Sequence, residues 1–173
     1  EAGIDGAWRF VQRVWRLAED NATAADGAAD VKLDRIVHRA IAAVTSDIDR
    51  LQFNKAVARL YELVGALERS TAGPSRRAGV ITLVQLVGPM VPHLAEEAWA
   101  LLGQPGLVCD AAWPVANPAL LVDDEVTIAV QVNGKLKGDF TAAKGSDKAV
   151  LEGAALALPN VQRTLDGAAP KKI

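Results

Sequence analysis

Apolar residues recur at steps of three and four along the first hundred positions, which predicts a succession of amphipathic helices. The first helix is predicted to begin at Asp5, whose carboxylate can cap it, and to end near Ala18. Trp8, Val11, Trp15 and Ala18 share one side of this helix. We therefore expect that side to be buried.

Two more helices of the same kind are predicted at about 30–47 and about 53–69. Their apolar stripes consist of Leu33, Val37, Ala40, Val44 and Ile48 in the second helix, and of Phe53, Val57, Leu60, Val64 and Leu67 in the third. Gly73-Pro74 marks the break that follows. This periodicity indicates that both helices pack against a common core.

The fourth helix, at about 75–88, is apolar on nearly every side, which is typical of the central helix of a bundle. Pro89 ends it, because a proline removes a backbone donor and clashes with the preceding turn. Pro92 is tolerated in the first turn of a fifth helix, which is predicted at about 92–102 with Gly103 as its cap.

Residues 104–125 are rich in proline and predict an irregular linker, with Trp113-Pro114 packing it back onto the helices. Beyond the linker, apolar and polar residues alternate from Val126 to Val132, which predicts a strand. Asn133-Gly134 predicts a tight turn into a second, antiparallel strand.

The register of this hairpin follows from the separation of apolar and polar side chains on its two faces. A two-residue loop would pair Val132 with Lys135 and mix the two classes on one face. A three-residue loop separates them, with the pairs Gln131–Lys135, Val130–Leu136 and Val126–Phe140. We therefore expect the three-residue loop, with Gly134 in a left-handed bulge position.

After the hairpin, Ser146 can cap a helix that ends near Ala157, and Pro159-Asn160 can start a short one that ends at Gly167. The predicted fold class is mostly α. It comprises a bundle of about five helices at 1–103, the linker at 104–125, and a small α+β domain at 126–173. That domain combines an antiparallel β-hairpin with one or two helices. We expect it to be truncated, and the chain to be a piece of a longer protein.

Composition refines this picture without changing it. Half of the 173 residues are hydrophobic, enough for a packed core. The net charge of -2 divides unevenly, because residues 1–125 hold 12 Lys and Arg against 17 Asp and Glu, while residues 126–173 hold 7 against 4. The small domain is therefore basic and suits a phosphate-bearing partner. The uncharged run 78–95 contains two prolines and a glutamine, so we expect a buried helix and no membrane span.

No combination of residues indicates a catalytic centre. His93 and Glu96-Glu97 lack the second histidine of a zinc-binding helix, so no metal site is predicted. Cys109 is the only cysteine, which excludes an internal disulfide and fits a reducing compartment. We expect no cofactor in this chain, a cytoplasmic location and a monomeric state.

Basic side chains are the candidate nucleic-acid ligands. Arg9, Arg13 and Arg16 lie on one flank of the first helix and could follow a row of phosphates. The small domain contributes Lys135, Lys137, Lys144, Lys148, Lys171 and Lys172. No exposed aromatic residue is expected among these lysines, which favours recognition of RNA by backbone and shape over base stacking.

Several segments, in this order, carry a resemblance to a known family. They are Gly6-Ala7-Trp8-Arg9-Phe10, Arg13-Val14-Trp15-Arg16-Leu17, Leu51-Gln52-Phe53-Asn54-Lys55-Ala56, the proline corner from Pro89 to Trp99, Ala112-Trp113-Pro114, Leu120-Leu121-Val122, and Val130-Gln131-Val132-Asn133-Gly134-Lys135. Nearly the whole chain resembles the C-terminal portion of bacterial-type leucyl-tRNA synthetases. The proline corner is shared with the valine, isoleucine and methionine enzymes, whereas the hairpin segment favours leucine.

The resemblance implies an anticodon-binding-type bundle followed by a C-terminal α/β domain that contacts tRNA-Leu. Enzymes of this family attach leucine to tRNA with ATP and Mg²⁺, and the leucine enzyme commonly does not read the anticodon. The His-Ile-Gly-His and Lys-Met-Ser-Lys-Ser active-site signatures are absent from this chain. Catalytic and editing domains of the same parent chain are therefore implied as partners.

Two alternatives stay open at this point. The chain could be the equivalent region of a valyl- or isoleucyl-tRNA synthetase, whose bundle reads the anticodon. It could also be a helical protein-interaction module with no RNA role, which the acidic balance of residues 1–125 favours.

Overall fold

The computed structural model describes residues 2–23, 26–122, 125–166 and 168. The chain divides into two compact units, Glu1–Leu121 and Val122–Ile173. The described elements of the first unit are helices α1 (Ala2–Asp20), α2 (Val31–Asp49), α3 (Phe53–Arg69), α4 (Pro74–Val87) and α5 (Pro92–Leu101), a 3-10 turn (Val108–Asp110) and the short helix α6 (Pro118–Leu121). Those of the second unit are strands β1 (Glu125–Val132) and β2 (Lys135–Ala143), and helices α7 (Lys148–Ala157) and α8 (Pro159–Leu165).

The predicted fold class is confirmed: a helical bundle precedes a small unit with one antiparallel hairpin and two helices. The domain boundaries drawn from composition, after residues 103 and 125, stay predictions. None of the described helices is long and apolar enough to cross a membrane. The predicted end of the last helix at Gly167 lies outside the described residues.

Helix α4 is the centre of the first unit and packs against α1, α2, α3 and α5. Its buried apolar side chains are Val80, Leu83, Val84, Leu86 and Val87. Gly79 lies where α4 approaches its neighbours most closely, because a Cβ there would be 2.7 Å from Leu67 Cδ2 and 3.0 Å from Val37 Cγ2. The chain then bends at the prolines, and α5 restarts with Pro92 in its first turn.

Helix α1 differs from its prediction in two respects. Asp5 lies within the helix, which begins at Ala2, so it is not the cap. The buried face contains Phe10, Val14 and Leu17, whereas Trp8 is 61% exposed. Both sides of α1 repeat apolar residues at helical spacing, and only packing against α3, α4 and α5 selects the buried one.

Helix α3 is also turned slightly from the predicted stripe. Phe53 is 42% exposed, while Ala56 and Leu63 are buried beside Leu60, Val64 and Leu67. Helix α2 begins after Asp30, whose carboxylate caps it by accepting hydrogen bonds from the backbone N–H groups of Lys32 and Leu33.

The segment between α5 and α6 lies on the bundle through polar contacts. Trp113 Nε1 donates to Thr45 Oγ1 at 2.8 Å, and Gln85 Nε2 donates to the Ala112 carbonyl at 3.0 Å. The Glu96 carboxylate of α5 accepts backbone N–H groups from Val108 at 2.8 Å and Cys109 at 3.2 Å. These two hydrogen bonds lower the pKa of Glu96, and the one from Val108 has the larger effect.

The predicted three-residue hairpin loop is wrong. Asn133 and Gly134 form a two-residue turn with φ values of 50° and 76°, and Val132 pairs with Lys135. Positive φ at both central residues is the geometry whose twist matches that of the flanking strands, which favours this turn for Asn-Gly. Gly134 is therefore a turn residue rather than a bulge residue.

The separation of apolar and polar residues is restored farther along the strands. Strand β2 has a bulge opposite Val130 and Gln131, where Lys137 is the extra, unpaired residue. Beyond it, the pairs are Val130–Gly138, Ile128–Phe140 and Val126–Ala142, instead of the predicted Val130–Leu136 and Val126–Phe140. Helices α7 and α8 contact β2, and Val161 is buried in this unit.

The close contact at Gly79 makes a stability prediction. Gly79→Ala should lower the free energy of unfolding of the first unit, because overpacking a buried site costs about 1–3 kcal/mol. That cost exceeds the helix-propensity gain of about 1 kcal/mol. The matched control is Gly6→Ala in α1, where a Cβ meets nothing within 4 Å. Urea unfolding should show loss for Gly79→Ala and a slight gain for Gly6→Ala; equal gains would contradict this account of the core.

The hydrogen bonds to Glu96 predict a pH-dependent effect of Glu96→Gln. The folded-state pKa lies below the ordinary value of 4.5, so the stabilisation is present above that value and lost as pH falls through the folded pKa. Glu96→Gln should therefore lower the melting temperature at pH 7, and the difference from the unchanged chain should shrink below pH 4.5. Glu97→Gln, at an exposed neighbouring position, is the control. A difference that does not change with pH would contradict the assigned role.

Candidate nucleic-acid interface

Contacts between α1 and α3 position the predicted arginine row. The rings of Phe10 and Tyr61 stack with centroids 4.3 Å apart, and Tyr61 Oη donates to the Gly6 carbonyl at 3.1 Å. These contacts set the rotation of α1 against α3. Arg9 and Arg16 are then exposed, and Arg13 is half-buried beside α3.

Arg13 is held by Glu68 of α3 through two parallel hydrogen bonds. Its Nε donates to Oε1 at 2.8 Å and its Nη2 to Oε2 at 2.6 Å. The hydrogen bond from Arg13 is the main cause of the lowered pKa of Glu68, and the positive charges of Arg13, Arg16 and Arg69 lower it further. The same pair raises the pKa of Arg13. Both groups are therefore charged near neutral pH.

The structure adds Arg69, which sequence analysis missed. A Cβ at Gly65 would be 3.2 Å from Arg69 Nη1 and 3.9 Å from Arg13 Nη2, so two guanidinium groups extend over this glycine. Arg13, Arg16 and Arg69, with Glu68 among them, form the arginine cluster. Arg13 and Arg69 are far apart in sequence, and only the packing of α1 on α3 brings them together. The only local hint of this arrangement is that Arg69 lies one helical turn after Gly65, which has no side chain to cover.

Three guanidinium groups around one carboxylate leave an excess of two positive charges at the arginine cluster. Guanidinium groups bind phosphate oxygens through paired N–H donors, so the cluster is suited to a phosphate-bearing ligand. Arg9 lies one helical turn before Arg13, about 6 Å along the axis of α1. The row could therefore contact more than one phosphate.

The lysines of the second unit are more dispersed than the arginines. Lys135 is exposed at the start of β2, whereas Lys137 is half-buried at the bulge. Lys144 is exposed after β2, and Lys148 forms an ion pair with Glu152 at 3.3 Å. Lys171 and Lys172 lie outside the described residues. That these lysines share one tRNA-binding surface therefore stays a prediction.

Other polar groups of the first unit have structural contacts. His38 Nδ1 accepts the backbone N–H of Asn117 at 3.0 Å. The Glu96 carboxylate and the charge of Asp110 raise the pKa of the exposed Cys109 thiol, the opposite of the shift that activates a nucleophile. Among the residues that the structure describes, no group of three or more His, Cys, Asp and Glu side chains could hold a metal ion.

Comparisons with known proteins agree with this architecture. The chain is 57% identical to the leucine–tRNA ligase of Rhizorhabdus wittichii, with 100% of this chain and 20% of the relative aligned. The leucine–tRNA ligase of Zymomonas mobilis is 47% identical over the same shares. The chain thus spans about one fifth of the length of these curated relatives.

A solved structure shows the same arrangement of elements. The crystal structure of the ternary complex of Agrobacterium radiobacter K84 agnB2 LeuRS, tRNA and LeuAMS matches with a TM-score of 0.72 and 30% identity, covering 99% of this chain and 24% of the other. The family model described as the anticodon-binding domain of tRNA ligases matches residues 30–152, from the start of α2 to within α7. With its helical bundle, proline corner and hairpin, the chain belongs to the anticodon-binding domain family of tRNA ligases.

Proposed function

We propose that this chain is the tRNA-binding portion of a leucine–tRNA ligase. It supports ATP-dependent attachment of leucine to tRNA-Leu by holding the tRNA through its backbone and shape. The observation that carries the proposal is the arginine cluster, in which α1 and α3 present three guanidinium groups on one surface of a tRNA-ligase domain. The leucine specificity rests on the similarity of the whole chain to leucine–tRNA ligases.

The geometry of the cluster indicates how a phosphate would bind. Among the described residues, neither Arg16 nor Arg69 forms an ion pair, so both can receive a phosphate directly. Arg13 is already held in one orientation by Glu68. A phosphate near Arg16 and Arg69 would therefore meet a pre-positioned third charge, with little side-chain entropy left to lose.

In this proposal, the second unit contributes further contacts to the tRNA backbone. Lys135 and Lys144 are exposed, and the remaining candidates are Lys137, Lys148, Lys171 and Lys172. Lysine binds phosphate as a point charge without base selectivity, which is consistent with recognition by shape. Together with Arg9, Arg13 and Arg16, these residues form the proposed contact set.

The reaction itself belongs to the rest of the ligase in this proposal. Neither the His-Ile-Gly-His nor the Lys-Met-Ser-Lys-Ser signature occurs in these 173 residues, so we assign the binding of ATP and Mg²⁺ to the rest of the ligase. The catalytic and editing domains of the longer chain are the proposed partners of this part. We further propose that the ligase acts as a monomer in the cytoplasm.

The arginine cluster makes a binding prediction. Arg16→Gln combined with Arg69→Gln should weaken binding of a leucine tRNA transcript about tenfold, and lower the slope of log affinity against log salt by about 0.7–0.9 per lost contact. The melting temperature should hardly change, because both side chains are exposed. Fluorescence anisotropy titrations between about 50 and 200 mM salt measure both quantities.

Two single variants serve as controls for this experiment. Arg50→Gln removes one positive charge, half of that removed by the double variant, from the exposed end of α2 and should leave tRNA affinity nearly unchanged. Glu68→Gln removes the competing carboxylate and should raise affinity. The contact assignment would be wrong if all three charge changes had equal effects on affinity. Absence of tRNA binding even at low salt would instead favour the protein-interaction module.

The amino-acid specificity is tested with altered transcripts. Binding of leucine tRNA should be insensitive to replacement of its anticodon bases, because backbone contacts carry no base information. A transcript with an unpaired D-arm, which changes the tRNA shape, is the positive control and should bind more weakly. Loss of affinity on anticodon replacement would favour the valyl- or isoleucyl-type domain and contradict the leucine assignment.

A further inference from the structure

A pocket lies at the proline corner of the first unit, and we call it the corner pocket. It is bounded by the end of α4, the start of α5 and the segment 108–113, and it encloses about 370 Å³. Most of its wall is apolar, with contributions from Pro89, Pro92, Val108 and Trp113. Pockets for small organic ligands typically enclose about 300–1,000 Å³ and combine apolar walls with a few polar groups. The corner pocket has both properties.

Hydrogen bonds within the chain fix the walls of the corner pocket. Gln85 Nε2 donates to the Ala112 carbonyl at 3.0 Å, and Trp113 Nε1 donates to Thr45 Oγ1 at 2.8 Å. These two contacts attach the segment that contains Ala112 and Trp113 to α4 and α2, while the proline rings restrict the backbone at the bend between α4 and α5. The pocket is therefore preformed, so a ligand would lose little affinity to the ordering of its site.

Glu96 gives the corner pocket a negative charge that no lining residue balances. It is the only formally charged side chain among the described residues that line the pocket. The N–H groups of Val108 and Cys109 lower its pKa, so the carboxylate is ionised near neutral pH. These two donors use only part of the carboxylate, which has about four lone-pair sites. Glu96 also forms no ion pair with any residue that the structure describes.

We propose that the corner pocket binds a small organic ammonium ion that has an apolar body. The ammonium group would donate hydrogen bonds to the Glu96 carboxylate, and the apolar body would lie against Pro89, Pro92 and Trp113. Hydrogen bonds between an ammonium group and a carboxylate are strong because both partners are charged. Burial of the apolar body adds hydrophobic stabilisation. The combination selects this class of ligand over neutral apolar molecules and over small cations.

Other classes of ligand fit the corner pocket less well. The Glu96 carboxylate repels RNA phosphates, and the excess positive charge that would attract them lies at the arginine cluster. No group of three or more described His, Cys, Asp and Glu side chains could hold a metal ion. A pocket of this volume accepts at most a side chain of another protein, whereas a specific protein interface buries about 800 Å² per partner.

A ligand in the corner pocket would contact both α5 and the segment 108–113. Its binding would therefore stabilise the attachment of this segment to the bundle, because a ligand that binds only the folded arrangement favours it by mass action. Every contact used here lies within the first unit, and none involves the arginine cluster. The inference is thus independent of the proposed tRNA binding.

Phenethylamine is the probe for this proposal, because it joins a phenyl ring to an ammonium group. Phenethyl alcohol has the same apolar body without the charge, and ethylamine has the charge without the ring. Titrations of the 173-residue chain are followed by the NMR signal of the Trp113 indole N–H, which is assigned with Trp113→Phe. Phenethylamine should bind saturably, with an affinity about tenfold higher than that of either comparison compound.

Variants test the role of the carboxylate. Glu96→Gln should lower the affinity for phenethylamine about tenfold, to that for phenethyl alcohol. Glu97→Gln removes an equal charge from the exposed neighbouring position, which does not line the pocket, and should leave the affinity unchanged. Equal losses in the two variants would overturn the proposal, because they would indicate a general effect of surface charge.

Measurements on the unchanged chain keep the test decisive even where Glu96→Gln does not fold. Nuclear Overhauser effects should connect the phenyl protons of the probe with the Val108 methyl groups and the Trp113 ring, which both line the pocket. Their absence overturns the proposal. It is also overturned by equal affinities for phenethylamine and phenethyl alcohol, or by signals that shift without saturation.

Two further arms identify other occupants. Saturation-transfer NMR should detect phenethylamine bound to the full-length ligase with the same dependence on Glu96. Loss of that signal would mean that another part of the ligase fills the pocket. Displacement of the probe by a leucine tRNA transcript would mean that the pocket belongs to the RNA surface. Either result overturns the proposal, and neither depends on whether the arginine cluster binds tRNA.

Discussion

The close approach of α4 to α2 and α3 is the constraint on which the first unit depends. Gly79 allows the Leu67 and Val37 side chains to approach the backbone of α4 at a point where a Cβ would force them to shift. Around that contact, α4 buries its apolar side chains, and α1 and α3 pack against it and against each other. The surface that carries the arginine cluster exists because those two helices lie side by side.

Positive charge is concentrated on this surface, although the surrounding part of the chain is acidic. The first unit belongs to the acidic part of the chain, yet Arg13, Arg16 and Arg69 converge where α1 and α3 meet. Glu68 holds Arg13 in place in the absence of a ligand, and it also reduces the local positive charge. In the proposed role, the pair would lower phosphate affinity while fixing the orientation of Arg13, which suits a ligand recognised by the spacing of its phosphates.

The hairpin shows how two local preferences are reconciled. Asn133-Gly134 favours a two-residue turn, and the apolar pattern of the strands favours a register that this turn alone would not give. The bulge at Lys137 satisfies both, because one extra residue in β2 brings the apolar Ile128 opposite Phe140. The three-residue loop followed from the apolar pattern alone, whereas the bulge lets the pattern and the two-residue turn coexist.

The sequence by itself determined the five bundle helices, the proline corner, the strand pair and the two last helices, since these follow from local periodicity and backbone geometry. It also placed Arg9, Arg13 and Arg16 on one flank of α1. It did not indicate the short helix α6, which lies in the predicted linker. Only the tertiary structure decided which apolar side of α1 is buried, because Trp8 and Phe10 lie on stripes of equal periodicity. It likewise decided that Arg69 joins Arg13, because contacts between residues far apart in the chain depend on how helices pack, which no local pattern encodes.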